Sequence, residues 1–181
     1  MNAQRAVVLG SLAVVAVCAS NRVLAAPQWS AGVDPSVCLE QRDDGAGRVA
    51  FCGSAHADLI LGRQRERDFG LGPYATVGTV AFDDLRGTLG ASALVPTWED
   101  LGLVISAGGL LDDSGRAGLE GSLFFGIRSY NFHGAYNFAG GVVLDVERTF
   151  GAGPSTVVSL GLRVDGLALA LPFLLVWGAL H

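Results

Sequence analysis

From residue 55 onward, apolar and polar side chains alternate within segments of about ten residues, and turn-forming residues separate these segments. In the segment 156–165, every second residue from Val158 to Val164 is aliphatic, whereas serine, glycine and arginine stand between them. The same period of two recurs in 101–111 and 141–150. A period of two predicts β-strands with one apolar and one polar face.

We predict eight strands, the smallest number common in membrane barrels. Counted upward from the first strand, the connections 64–69, 96–100 and 131–138 fall on one rim, which we expect to be extracellular because it carries the longest connection. The predicted strands are 54–64, 70–82, 85–95, 101–111, 118–130, 139–149, 156–165 and 167–179.

Composition supports a membrane barrel rather than a soluble domain. Half of the 181 residues are hydrophobic, only 16% are charged, and 26 are glycine. The mature part nevertheless has no apolar run near the roughly 18 to 20 residues of a membrane helix. The fold class predicted is therefore all-β, an antiparallel up-and-down transmembrane β-barrel of about eight strands. The net charge of −5 argues against a nucleic-acid partner.

The first 25 residues have the three parts of a secretory signal peptide. Arg5 is the positive residue, 6–20 form the apolar stretch, and small residues place the cleavage site near Ala25. An uncleaved anchor and a lipoprotein signal at Cys18 are the alternatives. The predicted organisation is a signal peptide at 1–25, an N-terminal periplasmic segment at 26–54 and a β-barrel domain at 55–181.

Two cysteines remain after the leader is removed, Cys38 and Cys52. An even pair in an exported chain indicates a disulfide. No further cysteine or histidine clusters near them, so we predict no metal site and no cofactor.

Charged residues inside the predicted strands point into the barrel by their alternation. An eight-stranded interior is only wide enough for side chains to fill it, so buried charges must pair. We predict a lumen ion-pair network, and a proton or ion path is the alternative. The predicted members are Asp58, Arg86, Glu120, Arg128, Asp145, Glu147, Arg163 and Asp165.

Catalytic motifs are weak in this chain. Ser129, His133 and Glu147 could form a lipid-hydrolysing triad near the outer rim, but a surface histidine is the simpler interpretation. The glycines of 70–75 lack the strand–turn–helix context of a phosphate loop. No catalytic residue is assigned.

Aromatic residues fall near the ends of the predicted strands, where membrane barrels carry aromatic girdles. Core packing at the ends of a sheet is the alternative. The residues concerned are Tyr74, Phe82, Trp98, Tyr130, Phe150 and Trp177.

The last segment alternates from Leu167 to Trp177 with apolar residues on one face. It resembles the closing strand of outer-membrane barrels, although it contains Pro172 and ends at His181 rather than at an aromatic residue. From about residue 55 the chain resembles the small eight-stranded outer-membrane β-barrel proteins of Gram-negative bacteria. That resemblance implies location in the outer membrane, contact with its lipid and with the barrel-assembly machinery, and an unknown extracellular partner.

The function expected is a structural, adhesive or interaction role through the extracellular loops. The alternatives are a membrane-embedded lipid-modifying enzyme, a narrow pore, and a soluble periplasmic barrel for a small apolar ligand. The charged inward faces argue against the last of these.

Overall fold

The structure is a computed structural model that describes residues 27–65, 67–98, 101–128, 138–166, 168–170 and 177–178. Each strand pairs antiparallel with the next along the chain, and the first pairs with the eighth, which closes the sheet. The predicted class, an all-β up-and-down barrel of eight strands, is confirmed. The strands are β1 (Gln28–Arg42), β2 (Gly47–Ile60), β3 (Gly70–Val80), β4 (Asp84–Pro96), β5 (Leu101–Asp112), β6 (Ala117–Arg128), β7 (Ala139–Thr149) and β8 (Ser155–Asp165).

The alternation in the sequence corresponds to the two faces of the barrel wall, one toward the lumen and one toward the outside. In β6, exposed and buried residues alternate without a break over twelve positions. Glu120 and Phe124 point into the lumen, while Leu119 and Leu123 point out. Successive side chains leave a strand on opposite faces, so the polar set fills the inside and the aliphatic set covers the outside.

The prediction that 26–54 precedes the barrel is wrong. Residues 28–42 form β1, and residues 47–60 form β2, which begins well before the predicted start at 54. The Asp-Asp-Gly-Ala sequence at 43–46 is the turn of the hairpin that joins them. The barrel wall therefore runs from residue 28 to residue 165 rather than from 55 to 181.

The sequence analysis did not predict β1 because it contains Pro35, and a proline within a strand pattern argues against a central strand. The structure accommodates it by a gap in one ladder. Between β1 and β8, Val33 pairs with Val164 and Ser36 with Gly161, and the two positions between them are unpaired. The register is the same on both sides of the gap, so the missing N–H of Pro35 interrupts the ladder without shifting it.

The predicted strand at 167–179 is also wrong for the residues described. Residues 166, 168–170 and 177–178 are helical, and β8 ends at Asp165. With β1 added at the other end, the wall already has its eight strands and a closed ladder, so no unpaired edge remains for another. Among the residues that the structure describes, no helix is long and apolar enough to cross a membrane.

The missed first strand changes which connections share a rim with the ends of the wall. The turn rim carries the short connections 43–46, 81–83, 113–116 and 150–154. The terminal rim carries the ends of β2, β4 and β6 and the starts of β3, β5 and β7, together with the start of β1 and the end of β8. The connections predicted to be extracellular thus lie on the same rim as both ends of the wall, because an even number of strands returns the chain to its starting side.

Candidate functional site: the lumen

The outer face of the barrel is apolar and almost free of charge. Among the outward positions of the eight described strands, Arg148 is the one charged residue, and it lies close to the turn rim. The polar residues Gln41, Thr79 and Thr156 also point outward, again near the turn rim. The large hydrophobic side chains that the strands expose include Trp29, Val37, Leu39, Phe51, Leu71, Val77, Leu89, Ile105, Leu111, Leu119, Phe125, Ile127, Val142, Val146, Leu160 and Leu162.

The lumen has the opposite character. Each of the eight charged residues predicted to point inward lies on the lumen face of its strand. Sequence reasoning missed further lumen acids, among them Asp34 and Glu40 on β1, which are both 2% exposed. The signal for them was present, because the residues between the aliphatic positions of β1 are polar, but that segment was not interpreted as a strand.

Two arginines on the lumen face each bind a carboxylate of a facing strand. Arg128 forms a bidentate pair with Asp58, at the side of the lumen nearer the terminal rim. Arg86 binds Glu147 at 2.7 Å and Asp84 at 2.6 Å, nearer the turn rim. Buried charges of this kind are tolerated because each guanidinium finds carboxylate oxygens in a planar arrangement.

The third pair joins β8 to β1. The Nε and Nη2 of Arg163 donate to the two carboxylate oxygens of Asp34 at 3.0 and 2.7 Å. The Nδ1 of His56 lies 3.2 Å from the same carboxylate. The guanidinium also stands 5.0 Å from the centre of the Phe124 ring, within the range of a cation–π contact.

Arg86 belongs to a connected group of charges near the turn rim, because Asp84 also lies 3.8 Å from Arg116 and Glu40 lies 4.0 Å from Arg86. Three of the predicted members of the network are instead described with partners other than arginine. Glu120 accepts a hydrogen bond from Thr76 at 3.1 Å, and Asp145 accepts one from Ser159 at 3.2 Å. Asp165 accepts the backbone N–H of Ala139 at 3.0 Å, which fastens the start of β7 to the end of β8.

Apolar layers lie at both ends of this polar section. Toward the terminal rim the layer is formed by Ile60, Leu94, Val104, Phe124 and Ala139, none more than 1% exposed. Toward the turn rim, Val80, Val157 and the buried Cys38 pack together. A small polar cavity lies between the layers, and its lining includes Asp34, His56, Arg86, Glu120 and Asp145. Side chains thus fill the lumen near both ends, as the width of an eight-stranded barrel predicts.

The disulfide predicted from the cysteine count is confirmed. Cys38 on β1 and Cys52 on β2 are bonded, with 5.9 Å between their Cα atoms. They are diagonal neighbours, since Cys38 is paired with Ala50 and Cys52 with Ser36. The bond therefore fastens the first hairpin from the lumen side, and the loop that it closes is part of the wall.

Arginines on the strands near the turn rim bind carboxylates of its connections. Arg148 holds Asp43 of the first turn at 2.9 and 3.0 Å, across the junction of β1 and β8. Arg48 holds Asp83 of the second turn at 2.9 and 3.0 Å. The hydrogen bonds from the Arg48 guanidinium hold the pKa of the Asp83 carboxyl below its usual value.

The aromatic residues divide between wall and lumen. Phe82, Trp98, Phe150 and Trp177 are exposed at the rims or beyond them. Tyr74, predicted to belong to the same girdle, instead points into the lumen and is 6% exposed, because position 74 falls on the inward face of β3. Tyr130 lies outside the described residues.

Of the candidate triad Ser129, His133 and Glu147, the structure describes Glu147 alone. Ser129 and His133 lie outside the described residues, but Glu147 is paired with Glu120 near the turn rim. Arg128, the last described residue before Ser129, lies eight residues further along β6 at the terminal rim, roughly 26 Å away at the usual rise of a strand. Glu147 instead binds Arg86.

The chain was compared with known families, curated proteins and solved structures. No family model matches it, and no curated protein does. One solved structure that it resembles comes from work on the de novo design of transmembrane β-barrels. The TM-score is 0.35 and the identity 10%, over 74% of this chain and 95% of that one.

Proposed function

We propose that this chain is an integral barrel of the outer membrane of a Gram-negative bacterium, with a structural role and with partner contacts confined to its rims. The observation that carries the proposal is the pairing of a charge-poor apolar outer face with a charged lumen. In a soluble barrel, the side chains facing water would be the polar ones. Here the aliphatic side chains face outward, as they do in barrels that contact lipid.

The height of the apolar surface supports the same proposal. On β1 the outward residues are apolar from Trp29 to Leu39, ten residue steps. At about 3.3 Å per residue and a strand tilt near 40°, this corresponds to a band about 25 Å tall. That is the height of the apolar band of outer-membrane barrels. Exposed aromatic side chains, such as Phe82 at the turn rim and Trp98 at the terminal rim, flank it.

The predicted leader and the disulfide support export, since disulfides persist in oxidising compartments. We propose that the chain ends face the periplasm and that the turn rim faces outward. Connections of three to five residues, with carboxylates bound by Arg48 and Arg148, offer a small and rigid surface there. This favours a structural role over adhesion through long loops. The filled lumen gives a transport role no support.

The first test is fractionation of cells that express the full chain, combined with gel mobility before and after boiling. We expect the protein with the outer membrane, and a faster-migrating band for the unboiled, folded barrel. Recovery from the soluble periplasmic fraction would refute the proposal.

A matched pair of substitutions tests contact with lipid directly. Leu160, at the middle of β8, and Leu111, near the turn rim on β5, are 59% and 58% exposed. In a bilayer, Leu160→Arg should cost about 2 to 4 kcal/mol of folding free energy and Leu111→Arg about 0 to 1. If water surrounds the barrel, both substitutions should be equally harmless, which would contradict the proposal.

Orientation is tested by single added cysteines and a membrane-impermeant maleimide on intact cells. Phe82→Cys reports on the turn rim, and Trp98→Cys reports on the terminal rim. We expect labelling of the first only, and labelling of the second only would reverse the orientation proposed.

A further inference from the structure

The segment 166–180, which follows the wall and is called the tail below, carries no charged side chain. Every residue in it is aliphatic, aromatic, glycine or proline. The residues of the tail that the structure describes are helical, and among them the side chains of Leu169 and Trp177 are 45% and 66% exposed. A surface helix of a water-soluble domain turns a polar face to water, and the tail has no such face. It therefore needs an apolar partner.

Neither the lumen nor the edge of a strand can take up the tail. Among the described strands no edge is open, because the eight form a closed sheet. The end of the lumen nearer the terminal rim is already filled by an apolar layer, none of whose members is more than 1% exposed. That layer consists of Ile60, Leu94, Val104, Phe124 and Ala139. The partner of the tail must therefore lie outside the barrel.

The tail leaves the wall at the edge of its apolar outer face. β8 ends at Asp165, and a Cβ atom added at Gly166 would lie 3.2 Å from the carbonyl oxygen of Ala31 on β1. At this level the outward residues of β1 are Trp29 and Ala31, with which the apolar band of that strand begins. The start of the tail is thus continuous with the apolar outer face, so a partner that covers this face also reaches the tail.

We propose that the tail inserts into the membrane leaflet that surrounds the terminal rim, and that the acyl chains of the lipids in this leaflet are its partner. This inference rests on the proposed function, which locates the barrel in a membrane. Even as one continuous helix, the fifteen residues of the tail would extend about 22 Å, short of the roughly 30 Å of a hydrocarbon core. The tail therefore enters the bilayer without crossing it and adds a second lipid contact beside the wall.

Quenching of tryptophan fluorescence tests this on the full mature barrel, folded into phosphatidylcholine vesicles. The probes are phosphatidylcholine with brominated acyl chains and, in separate samples, iodide in the water on both sides of the bilayer. The chain has three tryptophans. The variant Trp29→Phe/Trp98→Phe retains Trp177 alone, and Trp98→Phe/Trp177→Phe retains Trp29 alone as the matched control on the wall. In both variants we expect the brominated lipid to remove most of the fluorescence and iodide to remove little.

Quenching of Trp29 by brominated lipid and of Trp177 by iodide would put the tail in water, which overturns this proposal and leaves the proposed function intact. A Trp177 that neither probe quenches would be covered by protein, such as a second copy of the chain, and would also overturn it. Quenching of Trp177 alone by the lipid would support the tail contact and refute a wall that faces lipid. If the lipid quenches neither, both proposals fail.

Gel mobility before and after boiling shows that each variant is folded before it is measured. If a double variant does not fold, the single variant Trp177→Phe, compared with the parent, gives the fluorescence of Trp177 by difference and the same outcomes apply.

Discussion

Loss of the Arg163 guanidinium should destabilise the barrel by removing one half of a buried ion pair. Arg163 is 8% exposed and Asp34 2% exposed, and two hydrogen bonds join them. In Arg163→Met, an apolar side chain of similar length replaces the cation. The Asp34 carboxylate then keeps only His56, 3.2 Å away, as a potential cationic neighbour.

Breaking a buried pair from one side costs about 3 to 5 kcal/mol, because a charge remains in a medium that solvates it poorly. We expect a loss near the lower limit, about 3 kcal/mol, because the His56 ring stays 3.2 Å from the carboxylate. Adding Asp34→Asn removes the stranded charge. The double variant should therefore recover much of the loss, since replacing both charges is often nearly neutral.

The assay is urea unfolding of the barrel in lipid vesicles, followed by the fluorescence of its tryptophans and extrapolated to zero urea. Arg148→Met is the control, because it breaks a pair with Asp43 whose side chains are 39% and 52% exposed. It should cost less than about 1 kcal/mol. The reasoning is refuted if Arg163→Met costs no more than the control, or if the double variant is no more stable than Arg163→Met.

Three further predictions concern the hairpins and turns. Replacing Cys38 and Cys52 by serine should lower the free energy of unfolding by about 3 kcal/mol in the chain-entropy model, and a urea midpoint equal to that of the oxidised parent would contradict this. Ala81 has a φ of 54°, which an L-residue other than asparagine or glycine adopts at a cost. Ala81→Asn should therefore raise the urea midpoint, and a lower midpoint would show that the turn is not strained. Because Arg48 depresses the folded-state pKa of Asp83, the stability from this pair is fully present above the usual Asp value of 3.8 and is lost as the pH falls through the folded pKa. Carboxyl carbon shifts followed by NMR should show that Arg48→Met raises the Asp83 pKa toward its usual value, and an unchanged titration would exclude Arg48 as the cause.

The sequence allowed the wall to be predicted more reliably than its ends. The starts of β3 to β8 were each predicted within one residue, because their aliphatic outward positions repeat every second residue. The segment after Gly166 shows that alternation alone is not sufficient. Its apolar residues also satisfy a period of two, yet those described are helical, since a closed ladder leaves them no strand to pair with.

The inward direction of the lumen charges could be predicted, but their partners could not. Alternation within one strand determines whether a side chain points in or out. Which acid meets Arg163 depends on how β8 is placed beside β1, and Asp34 is 129 residues away in sequence. The same holds for Arg128 and Asp58, which are 70 residues apart.

By itself, the sequence determined the class of the fold, the disulfide, and the inward direction of the charges on the strands that it predicted, because these follow from local alternation and composition. Only the tertiary structure decided that Gln28–Arg42 is a wall strand, which rim carries the long connections, and which charges are paired. Closure of the sheet is the physical reason. It returns the chain to the rim where the first strand began, and it brings distant side chains together across the lumen, so that Arg163 meets Asp34 and Arg128 meets Asp58.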